Sequence, residues 1–381
     1  MYSKESYNKL LNAIAQNIDI SDEMFEKAEK TYTGLGKWID QETPEYEISI
    51  YPQGSFALGT VVRPITNSDD YDLDIVCQFK KQYELTAKEL KIDVVKPLLV
   101  RYKKTSSDIE EKKRCWHVEY VDVPNFHMDV IPAYCFGNSI CITDHNEVND
   151  SYDYIGSNPS GYVTWFFDSC AKQRVRLYEQ YIKEHRIVVA QADVEDVKRR
   201  KVKTPLQRVV QLLKRHRDIM FADDDSGNKP ISIIITTIAA RLYEEEDNIY
   251  DALANILVKA PAWIMNNCKG TQYYIENPSY PGENFADKWN THPERATTFF
   301  KWLNQARQDL VDGDILKNNR MEMGTHIKKC FGDKTGIMVF NQEAEDMRSA
   351  IVTGALKVEP TTGNISKQGT VSVPPVHHFG L

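Results

Sequence analysis

Residues 51–79 read YPQGSFALGTVVRPITNSDDYDLDIVCQF, and the rest of the chain is organised around them. In Tyr71-Asp72-Leu73-Asp74-Ile75-Val76, apolar residues alternate with carboxylates, the period-2 pattern of a strand. Residues two apart on a strand point to the same face, so Asp72 and Asp74 stand side by side. Unpaired like charges at that distance repel, and the arrangement makes most sense around a hard divalent cation with oxygen ligands. Asp70-x-Asp72 is a rival register. Asp72 and Asp74 are preferred because strand-forming residues flank each of them, whereas Asp70 follows Ser68 and Asp69. The plainer account of the pair is a solvated strand face beside an acidic turn.

A third carboxylate fits the same site. Residues 125–132, NFHMDVIP, are another apolar run, with Asp129 in the middle. A lone acid in a strand otherwise suited to burial is costly unless it is paired or binds metal. Three carboxylates on adjacent strands suit two Mg²⁺ ions roughly 3.5–4 Å apart. Ahead of them, Gly54 lets the backbone come close to a phosphate, and the Ser55 hydroxyl and loop N–H groups suit its oxygens.

Gly54-Ser55, Asp72-x-Asp74 and the distant Asp129, in that order, resemble the signature of the nucleotidyltransferases of the polymerase β superfamily. Further stretches narrow the resemblance: Ser157-Asn158-Pro159-Ser160-Gly161-Tyr162, residues 212–218 (LLKRHRD), Pro230-Ile231-Ser232, and residues 284–289 (NFADKW). Together they resemble the bacterial cGAS/DncV-like nucleotidyltransferases (CD-NTases), of the oligonucleotide-cyclase kind, over residues 1–330 or so. The resemblance implies an α/β fold: a polymerase-β-like nucleotidyltransferase lobe with a mixed sheet, a C-terminal helical lobe, and the active site in the cleft between them. It implies an enzyme that joins NTPs into a cyclic di- or trinucleotide messenger with release of pyrophosphate, in bacterial antiphage defence. Asp72, Asp74 and Asp129 would then be the catalytic, metal-binding residues. Gln53, Gly54, Ser55, Lys214 and Ser232 would bind nucleotide. The cofactor would be Mg²⁺, with Mn²⁺ as the other candidate, and ATP and other NTPs the substrates. A downstream effector would be reached through the diffusible product.

Two other functions are compatible with these residues. One is transfer of a nucleotide to RNA, a protein or a small molecule; the other is a catalytically silent nucleotide-binding scaffold. The complete acidic triad argues against the scaffold. The net charge of −8 argues mildly against long RNA and against a broad basic surface, but not against small nucleotides.

The length of 381 residues allows two or three domains, or two lobes around a cleft. No run approaches the ~18 apolar residues that span a bilayer, and residues 1–10, MYSKESYNKL, have no apolar signal region. The expected setting is cytoplasmic, with no membrane partner. Seven scattered cysteines, with no Cys-x-x-Cys, read as reduced thiols.

Along the chain, the expected division is a nucleotidyltransferase lobe with N-terminal helices over 1–155, a helical lobe over 156–332, and a C-terminal segment over 333–381, flexible from about 357. Helices are expected over 4–41 (two), 85–104, 162–185, from Thr204-Pro205 onward, 249–266 and 296–310. Strands are expected over 112–120 and 126–134. Residues 153–159 read as a loop near the lobe boundary. The basic cluster Lys198, Arg199, Arg200, Lys201 and Lys203 reads as a solvated surface, and Lys214 as a helix residue that is either exposed or turned to a triphosphate. Ser232, ahead of Ile233-Ile234-Ile235, is placed to cap a buried helix. The Pro-containing tail, residues 373–381, suits docking to a regulatory or conjugating partner, although Leu381 follows Gly380; a tail that folds back or stays disordered is the plainer alternative.

Overall fold

In a computed structural model, which describes residues 2–66, 71–81, 84–120, 126–185, 202–312, 315–358, 360, 365–366 and 370–373, the 71–79 stretch is the strand that its alternation predicts. The basic cluster from Lys198 to Lys201, Asp70 of the rival register, and residues 374–381 of the tail lie outside the described residues.

Among the described residues, seven strands form one mixed sheet: β1 (Ile48–Pro52), β2 (Tyr71–Phe79), β3 (Ile109–Glu111), β4 (Trp116–Glu119), β5 (Phe126–Phe136), β6 (Ser139–Asn146) and β7 (Ser151–Ser157). The order is β1-β2-β5-β4-β3, with β6 on the second half of β5 and β7 on β6. Strands β2 and β5 run parallel, and the other pairs are antiparallel. A parallel pair needs a crossover. Here it runs through a π-helical turn (Glu89–Val95) and a helix (Lys96–Lys103), and then through β3 and β4. The helix expected over 85–104 is therefore two pieces of different pitch. The strand expected over 112–120 is shorter, because Lys112 N–H closes a turn onto the Cys115 carbonyl.

Leu73, Ile75 and Cys77 of β2 are fully buried against Leu35 and Ile39 of the N-terminal helix Asp22–Glu42 and against Leu98 and Leu99 of the crossover helix. On the other face, Val76 meets Ile131, Ile140 and Ile142. Burying an aliphatic side chain of this size stabilises by roughly 1.5–3 kcal/mol, so the acidic strand is anchored firmly on both faces.

The helical part has its own core. Numbered in chain order with the preceding helices, its elements include α5 (Pro159–Asp168), α6 (Ala171–His185), α7 (Pro205–Met220), α8 (Ser232–Leu242) and α9 (Ile249–Asn266). They are followed by α10 (Asp287–Thr291), α11 (Pro293–Leu310), α12 (Arg320–Phe331) and α13 (Asp333–Val352). Leu10, Leu11 and Ile14 of α1 (Lys4–Asn17) pack into this core rather than into the one under the sheet. Helix α7 lies within it and is buried along most of its length. It begins at a capping box in which Thr204 and Gln207 satisfy each other's backbone N–H groups.

Two expectations about the chain are corrected. Residues 153–157 are not loop but the end of β7, paired residue for residue with β6 up to Ser157 against Ile140. Only Asn158 separates this strand from α5: its side chain accepts from Gly161 N–H to start the helix and donates to the Ser279 carbonyl at 2.9 Å. The helical signal also does not stop at Gly332, since α13 runs for 20 residues beyond it and packs on α1 and α12. Short strands at Lys357–Val358, Ile365–Ser366 and Val371–Ser372 then form a small antiparallel sheet. No helix among the described residues is long and apolar enough to cross a membrane, and the seven cysteines are free thiols.

The junction between β7 and the 277–282 loop yields a test. A Cβ on Gly156 would stand 1.7 Å from the Tyr280 hydroxyl oxygen and 2.2 Å from Cζ. Gly156→Ala should therefore lower stability by about 1–3 kcal/mol, the usual cost of overpacking. Adding Tyr280→Ala should restore much of the loss, as read by paired thermal melts. Equal melting of Gly156→Ala and the parent would show that the two segments do not touch.

Candidate active site

The parallel register sets Asp74 directly beside Asp129, and Asp72 beside His127. Asp72 and Asp74 share a face of β2, so the three carboxylates lie on one face at the same end of the two central strands. Burial, then the charges of Asp129 and Asp72, push the Asp74 carboxyl up from 3.8 to about 7. Asp72 remains more open. Partial desolvation pushes its pKa upward, but His127, whose Nε2 lies 2.8 Å away, outweighs this together with the Lys214 charge and holds it below the usual carboxylate value. Asp129 pairs with His117 Nδ1 at 2.9 Å, and the two imidazoles stack loosely with centroids 4.2 Å apart.

Neither histidine stands out in the sequence. Both were legible in principle: His127 is two residues before Asp129 on the same strand face, and His117 occupies the alternate position of Trp116-His117-Val118-Glu119.

Gln53, Gly54 and Ser55 sit at the head of this cluster. The Gln53 N–H donates to the Asp74 carbonyl at 2.8 Å, which seats the turn on β2. Gly54 then adopts φ +57°, and a Cβ there would stand 2.7 Å from Asp74 Oδ2. Both the left-handed backbone and the close approach require glycine. A short helix, α3 (Gly54–Leu58), follows and ends at Gly59 with φ +66°. Phe56 secures it by stacking on Phe25 of the second N-terminal helix at 4.6 Å.

Lys214 is buried rather than exposed, and Nζ donates to the Thr60 carbonyl at 3.1 Å. Burial and the nearby Arg217 lower its pKa to about 8, while Asp218, Asp72 and Asp74 pull the other way. The lysine thus belongs electrostatically to the acidic cluster, although it comes from the helical part.

Ser232 does not act as a cap. Ile231 occupies the N-cap position, and Ser232 is the first residue of α8. Its Oγ instead accepts from Arg217 Nη1 at 2.8 Å. The same guanidinium is clamped by Asp218 at 2.7 and 3.0 Å and donates to the Pro230 carbonyl. The reason is geometric: Arg217 lies one turn beyond Lys214 on α7 and reaches the start of α8 first. Ser232 is joined to the site through Arg217, whereas Gln53, Gly54, Asp72, Asp74 and Asp129 adjoin one another on the two strands and Lys214 interacts with the acids by charge.

A divalent cation suits this donor set. A carboxyl held near neutrality by burial and two like-charged neighbours is what such an ion relieves, and all three side chains offer oxygen.

Residues 48–134 match the family described as the nucleotidyltransferase domain of cyclic GMP-AMP synthase DncV-like proteins. This span holds β1, the Gly-Ser turn and all three carboxylates. The chain is 30% identical over 357 residues to a c-di-GMP synthase of Roseivirga ehrenbergii, covering 90% of this chain and 89% of that protein. It is 25% identical over 361 residues to the cyclic dinucleotide synthase CdnG of Bradyrhizobium diazoefficiens, covering 87% and 83% respectively. The fold is similar to the solved structure of the Bradyrhizobium diazoefficiens CD-NTase CdnG in complex with GTP. The TM-score is 0.68 at 22% identity, over 88% of this chain and 98% of that one.

The raised Asp74 carboxyl has a sign that can be measured in metal-free protein. Its folded value of about 7 exceeds its unfolded value near 3.8, so between these the folded state holds a proton that the unfolded state has lost. Stability therefore falls as pH rises through that window, by ~1.4 kcal/mol for each pH unit crossed, before solvent screening. Asp74→Asn should melt higher than the parent at pH 8 in a chelator and nearly equal to it at pH 4. A variant that melts lower at pH 8 would show that Asp74 is already neutralised by its protein neighbours.

Proposed function

The chain belongs to the cGAS/DncV-like nucleotidyltransferases, and we propose that within this family it joins two NTPs, GTP foremost, into a cyclic dinucleotide with release of pyrophosphate at each bond formed. It is a nucleotidyltransferase enzyme. Guanine nucleotides are favoured over ATP alone because one relative is described as a c-di-GMP synthase and another was solved with GTP. A cyclic messenger fits a cytoplasmic antiphage role in which a separate effector reads the diffusible product. Any regulatory partner of the C-terminal tail would engage residues outside those described.

The observation that carries this reading is the in-register Asp74–Asp129 pair, with Asp72 on the same face and Gly54 2.7 Å from Asp74 at the Cβ position. In each step a ribose hydroxyl oxygen forms a bond to the α-phosphorus of an NTP, and the bond from that phosphorus to the bridging oxygen of pyrophosphate breaks. The second such step closes the ring. Mg²⁺ or Mn²⁺ held by Asp72, Asp74 and Asp129 would supply a lowered pKa for the attacking hydroxyl and charge compensation for the departing pyrophosphate.

The chain's own groups do the positioning. Gln53, Gly54 and Ser55 present a thin backbone surface on which phosphates can approach Asp74 closely. Asp129, the register partner of Asp74, would receive the hydroxyl proton. Lys214, drawn toward the acids from α7, offers one positive charge to the triphosphate. Arg217 fixes Ser232 at the start of α8, one helical turn away.

The test is incubation of the purified chain with GTP and ATP, singly and together, with Mg²⁺ or Mn²⁺, followed by mass spectrometry. A cyclic dinucleotide is expected, and Asp72→Asn with Asp74→Asn should abolish it without unfolding the protein. Exclusively linear products, or nucleotide attached to another acceptor, would overturn cyclisation. Lys214→Ala should raise KM for NTP with little change in kcat, because a lysine on a terminal phosphate acts alike in ground and transition states. An unchanged KM for every NTP would remove Lys214 from the site.

A further inference from the structure

We propose that His117, His127 and Asp129 form a binding site for a borderline divalent transition metal ion, zinc foremost, beside the all-oxygen site and sharing Asp129 with it. The inference rests on the reading of Asp129 as part of the nucleotidyl centre. One donor atom from each of the three side chains lies within 4.8 Å of the other two. Zinc binds imidazole nitrogen and carboxylate oxygen at about 2.0–2.1 Å in tetrahedral geometry, so two of its donors stand ~3.4 Å apart. His117 Nδ1 and Asp129 Oδ1, 2.9 Å apart, already stand within that spacing, and side-chain rotation would bring His127 to the same ion.

The backbone favours this arrangement. His117 on β4 is the register partner of Asp129 on β5, and His127 is two residues before Asp129 on the same strand face. Three donors on two paired strands keep their spacing without help from a loop. Each side chain is partly exposed, so an ion can enter.

The donor chemistry separates this site from its neighbour. Asp72, Asp74 and Asp129 offer only oxygen, which suits Mg²⁺. Two imidazoles and one carboxylate suit zinc, cobalt and other borderline ions, for which Mg²⁺ competes poorly. The sites exclude each other in part. An ion on the imidazoles draws Asp129 from the carboxylate cluster and parts His127 from Asp72, now 2.8 Å apart. Zinc here would oppose turnover rather than support it. The simpler account is that each histidine only orients its carboxylate, His117 holding Asp129 and His127 holding Asp72.

Direct metal binding to the full chain distinguishes the two, with Co²⁺ as a coloured stand-in for zinc. The expected result is one equivalent of Co²⁺ with a visible absorption band, displaced by equimolar Zn²⁺ but not by equimolar Mg²⁺. His117→Ala with His127→Ala should weaken Co²⁺ binding by at least ~10–100-fold, the range that loss of even an outer partner produces. Asp72→Asn with Asp74→Asn should retain it. If the alanine pair fails to melt as the parent does, His117→Gln with His127→Gln serves in its place, since glutamine keeps a hydrogen-bonding group but ligates poorly. Co²⁺ binding that survives loss of both histidines and is lost with Asp72 and Asp74 would overturn the proposal and leave the nucleotidyltransferase reading intact. Absence of Co²⁺ binding to the parent would also overturn it. Failure of cyclic product in the mass-spectrometric assay, with Co²⁺ binding intact, would overturn the functional reading instead.

Discussion

The structure depends on one clamp: the polar face of α7 gripping the loop that follows the Gly-Ser turn. Gln207 Nε2 donates to the Leu58 carbonyl at 2.9 Å, Gln211 Nε2 to Val61 at 2.7 Å, Lys214 Nζ to Thr60 at 3.1 Å, and Arg215 to Arg63. Gln207, Gln211 and the adjacent pair Lys214 and Arg215 follow one another at steps of three or four residues, so they form one stripe down the helix. A loop of this kind would leave carbonyls unsatisfied on burial, and the stripe satisfies them in turn. Gln211 also reaches Asp19, which Lys203 and Arg208 hold between the two N-terminal helices. The clamp therefore ties the sheet, the N-terminal helices and the helical core to a single set of buried hydrogen bonds.

With the loop fixed, the acidic cluster can be held in a state that it would not choose alone. Three carboxylates within one strand pair repel, and burial adds to the cost, as the raised Asp74 carboxyl records. The protein offsets only part of this with its own groups: His127 on Asp72, His117 on Asp129, and Lys214 at longer range. The remaining imbalance keeps the cluster receptive to cations. A fully compensated cluster would be more stable and would offer a cation less.

Much of this was legible in the sequence, for identifiable reasons. The alternation in Tyr71–Val76 placed Asp72 and Asp74 on one face, and the isolated acid in 125–132 placed Asp129 on a neighbouring strand; the register pairing of Asp74 with Asp129 is consistent with both. The Thr204-Pro205 start of α7 was readable because capping is a local interaction. Four features were not. The β7 strand hides in Ser151–Ser157, whose Gly, Ser and Asp composition reads as loop until β6 pairs with it. The helix beyond Gly332 has a weak apolar stripe and owes its place to packing on α1 and α12. Ser232 looked like a cap because a cap is a local pattern, whereas its partner Arg217 arrives from another helix. The histidines escaped notice because their partners lie across strand pairs. In each case the missing information was a tertiary contact, which no local pattern encodes.

The reach of the α7 clamp bears on how the protein comes to be active at all. Lys214 and Thr60 are 154 residues apart in sequence, and Asp74 and Asp129 are joined by a parallel crossover. Contacts of such separation form late, because chain entropy must be overcome before they return any stabilisation. A nascent or truncated chain that ends before α7 would carry all three carboxylates but no grip on the loop beside them. Placement of the acidic face beside its supporting loop is thereby tied to completion of the helical core, and a half-made polypeptide lacks that assembled arrangement.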